Sequence, residues 1–218
     1  CRSAWTVERI YFTEAWESAS IWTSEAHLDS LSRQQVSAKD MEMMSAMKAP
    51  PGLLATAKPP KDFNSEFTTN DLTLFLDNVA DPGNVGTLIR VADWFGLSGV
   101  VVSPQSADPI GPKALQSAMG STFHIPIVVR SFEDLPEEIK AHAIGLDAGG
   151  QDLFEGAFNS TPTLLVVGSE SHGVSDDVKA GCHSMAAIPG AGRAESLNAS
   201  VAGAIAVASI VQQRRTMR

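Results

Sequence analysis

Residues 71–218 predict an α/β fold built on a mostly parallel sheet. Three observations carry this. Short apolar runs such as Leu72-Thr73-Leu74-Phe75-Leu76, Gly99-Val100-Val101-Val102 and Thr163-Leu164-Leu165-Val166-Val167 alternate with helical patterns. Runs without a polar face belong to strands covered on both sides. The last helical pattern, after Asn198, is built of very small residues, a composition suited to close packing.

The elements follow in order. The strand Leu72–Leu76 leads through the loop DNVADPGN to a helix from about Val85 to Phe95. Gly99–Val102 is the next strand. Pro112 opens a helix to about Met119, since proline is tolerated at a first helical position. His124 to Val129 reads as a strand, and Ser131 caps a short helix through Lys140. Ala143–Leu146 and Thr163–Val167 are strands. Ser175 with Asp176 and Asp177 gives an N-cap and an acidic first turn. Met185 to Ile188 is the last strand, and Ser196 to about Arg214 the last helix.

Residues 1–57 read as a small separate α/β unit. Arg9-Ile10-Tyr11-Phe12 is a strand, Glu14 to Ala26 a helix, and Ser37 the N-cap of a helix through MEMMSAM. Met41, Met43, Met44 and Met47 are core or interface filler. Pro50-Pro51-Gly52 precedes a short buried strand, Leu53 to Ala57. Residues 58–70, polar and aperiodic with two prolines, form a linker.

Composition bounds the function. Of 218 residues, 44% are hydrophobic, enough for a real core. No run of about 20 apolar residues predicts a membrane span. Cys1 and Cys182 make no disulfide framework, and no secretory leader opens the chain, so an enzyme of the cytoplasm or an organellar matrix is expected, the cytoplasm first. The first unit is expected to be incomplete at its start, because the chain opens at Cys1. A net charge of −9 argues mildly against a nucleic-acid partner, since phosphate binding relies on Lys and Arg.

Ligands of open α/β sheets bind beyond the carboxyl ends of strands, and three loops there are unusual. In the first, Asn84 is an N-cap or a ligand contact, and Arg90, flanked by Ile89 and Val91, is a buried pair or a ligand contact. Its planar fork suits phosphate or carboxylate. The second is Gly168-Ser169-Glu170-Ser171-His172-Gly173. It is no P-loop, because Val174-Ser175 follows instead of Lys-Ser, and no nucleophile elbow, because Ser169 precedes Ser171 by two. Glu170 either bonds its own loop or faces a ligand. His172 has no partner at metal-ligand spacing and reads as an exposed loop residue. In the third, Gly190 and Gly192 permit positive φ or close ligand contact. Ser196 is an N-cap by default, and Asn198 caps or contacts a ligand.

These loops carry a resemblance. Asn84-Val85-Gly86-Thr87-Leu88-Ile89-Arg90 with Phe95-Gly96, Gly168 through Ser175, and Ile188-Pro189 through Ser196-Leu197-Asn198-Ala199-Ser200-Val201-Ala202 resemble, in order, the motifs of the SpoU/TrmH family of SPOUT RNA 2′-O-ribose methyltransferases. The match covers about 71–218. Val36 to Ala57 resembles, more weakly, the end of the small RNA-binding domain often fused in front. The sequence departs from the usual pattern at Gly190, where Met is common, and at Ala199, where Val is frequent.

The resemblance implies a deep trefoil knot in the C-terminal part, a homodimer, and S-adenosylmethionine held largely by backbone groups of the last two loops. Gly168, Ser169, Glu170, Gly173, Ile188, Gly190, Ser196 and Leu197 would line the donor. Arg90 would act at the ribose 2′-hydroxyl, with Asn84, Glu170, Ser196 and Asn198 in the same pocket and Glu170 holding Arg90 or Asn84. No metal is required. The implied substrate is structured RNA, with ribosomal RNA favoured over transfer RNA because of the front domain. The rival reading is a non-catalytic RNA-binding assembly factor that keeps the fold. A dimer would present basic strips from Arg2, Arg9, Arg33, Lys39, Arg193, Arg214 and Arg215.

Overall fold

The computed structural model describes residues 5–17, 31–60, 71–158 and 163–216. The chain divides into two compact units, Cys1–Lys61 and Asp62–Arg218. In the first, β1 (Thr6–Phe12), β2 (Ser32–Gln35) and β3 (Leu53–Lys58) form a sheet of order β2-β1-β3. Strand β1 runs parallel to β2 and antiparallel to β3. Ser37 caps α1 (Ala38–Met44), its Oγ accepting the Asp40 N–H at 3.1 Å. Of the methionines, Met41 is buried while Met43, Met44 and Met47 stand exposed. The expected helix Glu14–Ala26 is a single 3₁₀ turn at Glu14–Trp16, and its remainder lies outside the described residues. Strand β3 is not buried throughout, because Ala55 and Thr56 face solvent.

The second unit contains β4 (Leu72–Asp77), α2 (Pro82–Phe95), β5 (Gly99–Val102), α3 (Pro112–Ala118), β6 (Ile127–Val129), α4 (Glu137–Lys140), β7 (Ala143–Asp152), β8 (Thr163–Gly168), α5 (Asp176–Gly181), β9 (Ser184–Ala187) and α6 (Ala199–Thr216). The strands make one sheet of order β6-β5-β4-β8-β7-β9, parallel at every pairing. Two expected elements shrink. A 3₁₀ turn at Ser121–Phe123 occupies the approach to β6. Helix α4 begins only after Pro136, whose ring fixes φ and which has no N–H to give to an earlier helical turn. Strand β7 instead extends past Leu146 by pairing with β9 again at Gln151 and Asp152.

Period-two alternation sorts the central strand onto two cores. Leu72, Leu74 and Leu76 pack with Val85, Leu88 and Ile89 of α2 and Val207 and Ile210 of α6. Phe75 lies on the other face with Val101, Val128, Leu164 and Val166, under Phe132, Leu135, Ile139 and Val178. Phe75 and Phe132 meet edge to face at 5.4 Å between ring centroids. Burying each such side chain contributes about 1.5–3 kcal/mol relative to leaving it exposed.

The small residues of α6 serve this packing. A Cβ on Gly203 would lie 2.5 Å from Leu88 Cδ2 and 3.3 Å from Val167 Cγ2. Only a glycine lets α6 approach both α2 and β8 this closely. The buried faces of Ala199 and Ala206 continue the same seam.

A parallel sheet puts every strand's carboxyl end on one edge. Asp77, ending β4, pairs in register with Gly168, ending β8. The loops after these neighbouring strands therefore start side by side, and the loop after β9 leaves from the same edge.

Candidate functional site

The first loop is held from beneath. Asn78 takes a left-handed φ of 55°, and its N–H donates to Ser103 Oγ at 3.0 Å. The Val79 N–H donates to Ser106 Oγ at 2.9 Å. Both serines come from the loop after β5. Asp81 then caps α2, its Oδ1 accepting the N–H groups of Gly83 and Asn84 at 2.5 and 3.3 Å. Pro82 follows as the first helical residue. Lys113 reaches Asp81 at 3.0 Å, and together with the Gly83 N–H it holds that carboxyl below the usual range.

Asn84 is therefore not the cap. With Asp81 in that role, the Asn84 side chain is free to reach across the sheet edge. Its Nδ2 donates to Glu170 Oε1, and its Oδ1 accepts from Asn198 Nδ2 at 3.1 Å. Asn198, and not Ser196, caps α6: its Oδ1 accepts the Ser200 N–H at 2.9 Å and the Ser200 hydroxyl at 2.6 Å. One directed chain thus runs from the amino end of α6 through two amides to a carboxylate. Each amide is oriented by both neighbours, so neither flips without breaking two bonds. Of the partners open to Glu170, the structure has Asn84 and not Arg90.

The second loop is a tight turn closed by its own backbone. The Ser169 N–H donates to the Gly173 carbonyl at 3.0 Å, and the Gly173 N–H donates back at 2.9 Å. Gly173 has a φ of 67°, the region glycine occupies without steric cost. The turn folds back over Gly168, where a Cβ would collide with the Gly173 backbone. Glu170, Ser171 and His172 form its exposed tip, with Ser171 Oγ 2.7 Å from His172 Nδ1. Below it, the buried Asp77 carboxylate accepts the Ser175 N–H at 2.7 Å.

The third loop contrasts with both. Residues 189–198 are exposed throughout, and Leu197 is 45% exposed. Neither Gly190 nor Gly192 has positive φ, and no atom lies within 4 Å of where a Cβ would sit. Their expected φ role is not used, and a Cβ at either position would stand in open space. Ser196 has no hydrogen bond to any described residue. Ile188, at the loop's root, packs half-buried against the core.

Arg90 lies apart from the amide chain. It is exposed on α2 and makes no ion pair or hydrogen bond with any described residue. The buried-pair alternative is excluded, and the guanidinium fork is open to a ligand. Arg214, expected on a basic strip, is instead tied to Asp71 with its side chain 11% exposed. Together with Asp71, Phe95 and Val211 it lines a small cavity of about 190 Å³ at the opposite edge of the sheet, remote from these loops. Burial first, then Asp77, pushes the Cys182 thiol up to about 11, which keeps it protonated at neutral pH. Among the described residues no cluster of His, Cys, Asp or Glu can hold a metal ion.

Sequence reasoning missed Asp77 and Asp81. The signal for Asp81 was present, because an Asp directly before Pro is a cap followed by a first-turn proline. Asp77 had no local signal, since its partner Ser175 is 98 residues away.

Residues 71–208 match the model of the SpoU rRNA Methylase family. An uncharacterized tRNA/rRNA methyltransferase of Mycolicibacterium paratuberculosis is 37% identical over 149 residues, 66% of this chain and 48% of that one. The 23S rRNA (uridine(2479)-2′-O)-methyltransferase of Streptomyces viridochromogenes is 31% identical over 224 residues, 96% of this chain and 77% of that one. The crystal structure of the SpoU methyltransferase AviRb of Streptomyces viridochromogenes with AdoMet superposes with a TM-score of 0.83 at 30% identity, covering 98% of this chain and 85% of that one. The chain spans about half the length of most of the first curated relatives it matches.

Proposed function

This chain belongs to the SpoU rRNA Methylase family, and from that premise we propose that it transfers a methyl group from S-adenosylmethionine to a ribose 2′-hydroxyl of structured RNA, ribosomal RNA in particular. The observation that carries the reading is the directed chain Asn198–Asn84–Glu170 at the carboxyl edge of the sheet, with the fork of Arg90, unengaged by any described residue, further along the helix that holds Asn84.

The residues present fit a donor of this kind. Gly168, Ser169, Glu170 and Gly173 offer the backbone and carboxylate of a preformed turn, and Ile188, Gly190, Ser196 and Leu197 offer a loop with bare backbone and an exposed apolar wall. When bound, the donor supplies an electrophilic methyl on a sulfonium. The carboxylate of Glu170 favours that cation by charge, and Asn84 fixes where the carboxylate points. Arg90, a guanidinium that stays protonated, clamps a phosphate beside the acceptor ribose and favours the alkoxide-like form of its 2′-oxygen, the hydroxyl proton leaving to that phosphate or to solvent. Holding the hydroxyl in line with the methyl supplies much of the rate enhancement expected of such a site. Asn198 joins the third loop to this cluster, so that ordering the loop also orders Asn84.

The rest of the reading follows the family. The chain past β8 ties a trefoil knot around the donor, a second copy completes a homodimer, and the enzyme works in the cytoplasm. The first unit binds substrate RNA. The strand order, in which β7 lies between β8 and β9 while α6 returns to pack on α2 and β8, is the feature of this chain that supports the knot. No helix among the described residues is long and apolar enough to cross a membrane.

The test is transfer of radiolabelled methyl from S-adenosylmethionine to bulk ribosomal RNA, with transfer RNA in parallel. Bound RNA without transfer would sink the enzyme reading in favour of an assembly factor. Arg90→Ala is expected to lower transfer about 10²–10³-fold and leave donor binding, measured by calorimetry, unchanged. Loss of donor binding instead would reassign Arg90.

A further inference from the structure

Helix α2 carries a feature that the transfer chemistry leaves unused. Trp94 is 83% exposed and makes no hydrogen bond or ring contact with any described residue. It is four residues beyond Arg90, hence on the same helix face and about 6 Å further along the axis. Gly83 and Thr87 continue that face toward the amino end of the helix. The nearby carboxylates are engaged. Asp93 bonds His124 Nδ1 at 3.1 Å, and Asp81 bonds Lys113. Exposed Met119 and Phe123 follow on the neighbouring α3 and the turn after it, the turn that contains the residue before His124.

We propose that Trp94 is a stacking platform for an unpaired base of the substrate RNA, next to the nucleotide whose phosphate Arg90 holds. This rests on the RNA methyltransferase reading and adds to it a residue that selects the substrate. The chemistry of the face favours a nucleotide. An aromatic plane binds the π-face of any base, and a guanidinium one turn away binds the phosphate of an adjoining residue. Bases in a helix are already stacked on both sides, so the platform takes a base from a loop, bulge or end. The net charge of −9 also makes sense on these terms. A chain that repels phosphate at long range gains from an uncharged contact, which salt does not screen.

The experiment has two arms. In the first, Trp94→Ala is assayed for methyl transfer, with the Michaelis constants for RNA and donor measured at low and high salt. The expected result is a rise of about tenfold or more in KM for RNA, with KM for donor and the salt slope unchanged, and recovery of most of the loss in Trp94→Phe. Unchanged KM for RNA overturns the proposal while leaving the enzyme reading intact. In the second arm, the four tryptophans are labelled with 5-fluorotryptophan, and Trp94 is assigned by the signal missing in Trp94→Phe. A mixed-sequence single-stranded RNA oligonucleotide is then titrated in, with ¹⁹F NMR as readout. A shift of the Trp94 signal supports the platform even if the wild type transfers no methyl, in which case only the enzyme reading fails. A Trp94 signal that does not move overturns it. So does dissociation of Trp94→Ala to a smaller species in sedimentation, because the face would then belong to a second copy of the chain.

Discussion

The loops after β8 and β9 leave the same sheet edge, yet they are made in opposite ways. The turn at 168–175 is held by its own backbone: two reciprocal bonds between Ser169 and Gly173, a glycine that admits the fold-back, and Asp77 underneath. The loop at 188–198 has a half-buried root at Ile188, one anchor at Asn198, and open space around its glycines between them. The difference teaches where order comes from. One loop is preorganised and would lose little freedom to a ligand; the other is held only near its two ends.

Substitution of Gly168 by Ala attacks the preformed loop directly. The added methyl meets Gly173 backbone, which has no flexible end to move aside. Overpacking of this kind costs about 1–3 kcal/mol, and the shifted turn carries Glu170 away from Asn84. We expect a lower Tm by calorimetry and methyl transfer near background. A Gly168→Ala protein with wild-type transfer would mean that the turn is not the preformed half of the site.

Replacing Asn198 by Ala releases the anchor of the other loop. It removes the α6 cap, at about 1 kcal/mol, and the bond that orients Asn84. Transfer should fall with donor affinity reduced, while Asn198→Asp, which caps but cannot donate to Asn84 Oδ1, should restore stability and not activity. Recovery of both in Asn198→Asp would show that the cap alone mattered.

Gly190→Ala is the mildest and the most diagnostic change. With no atom near the new methyl and no positive φ to strain, stability should change by less than about 0.5 kcal/mol. On the proposed donor role of this loop, donor affinity should nevertheless drop, because the methyl takes space that the ligand would occupy. An unchanged donor Kd would remove Gly190 from the donor loop.

Much of the fold was legible in the sequence because its determinants are local. Leu72 to Leu76 has no polar face, so its strand had to be covered twice, and the parallel sheet follows. The Ser37 cap could be read for the same reason, since its partner Asp40 is three residues on. The candidate site was legible as three loops, and its wiring was not. Asn84 and Ser196 were open to reading as caps because cap preference depends on residue type. Asp81 and Asn198 hold those positions because each has the right backbone two residues ahead.

By itself, then, the sequence determined most of the strands and helices, the sheet class and the family motifs. All of these depend on residues within a few positions of one another. Only the tertiary structure decided that Glu170 holds Asn84 and leaves Arg90 open, that Asn198 ties the last loop to the first, and that Gly203 sits against Leu88 and Val167. These partners are 86 and 114 residues apart in the two amide bonds. They meet because the strand order sets β4 beside β8 and brings α6 back over both, and spacing along the chain carries no trace of that order.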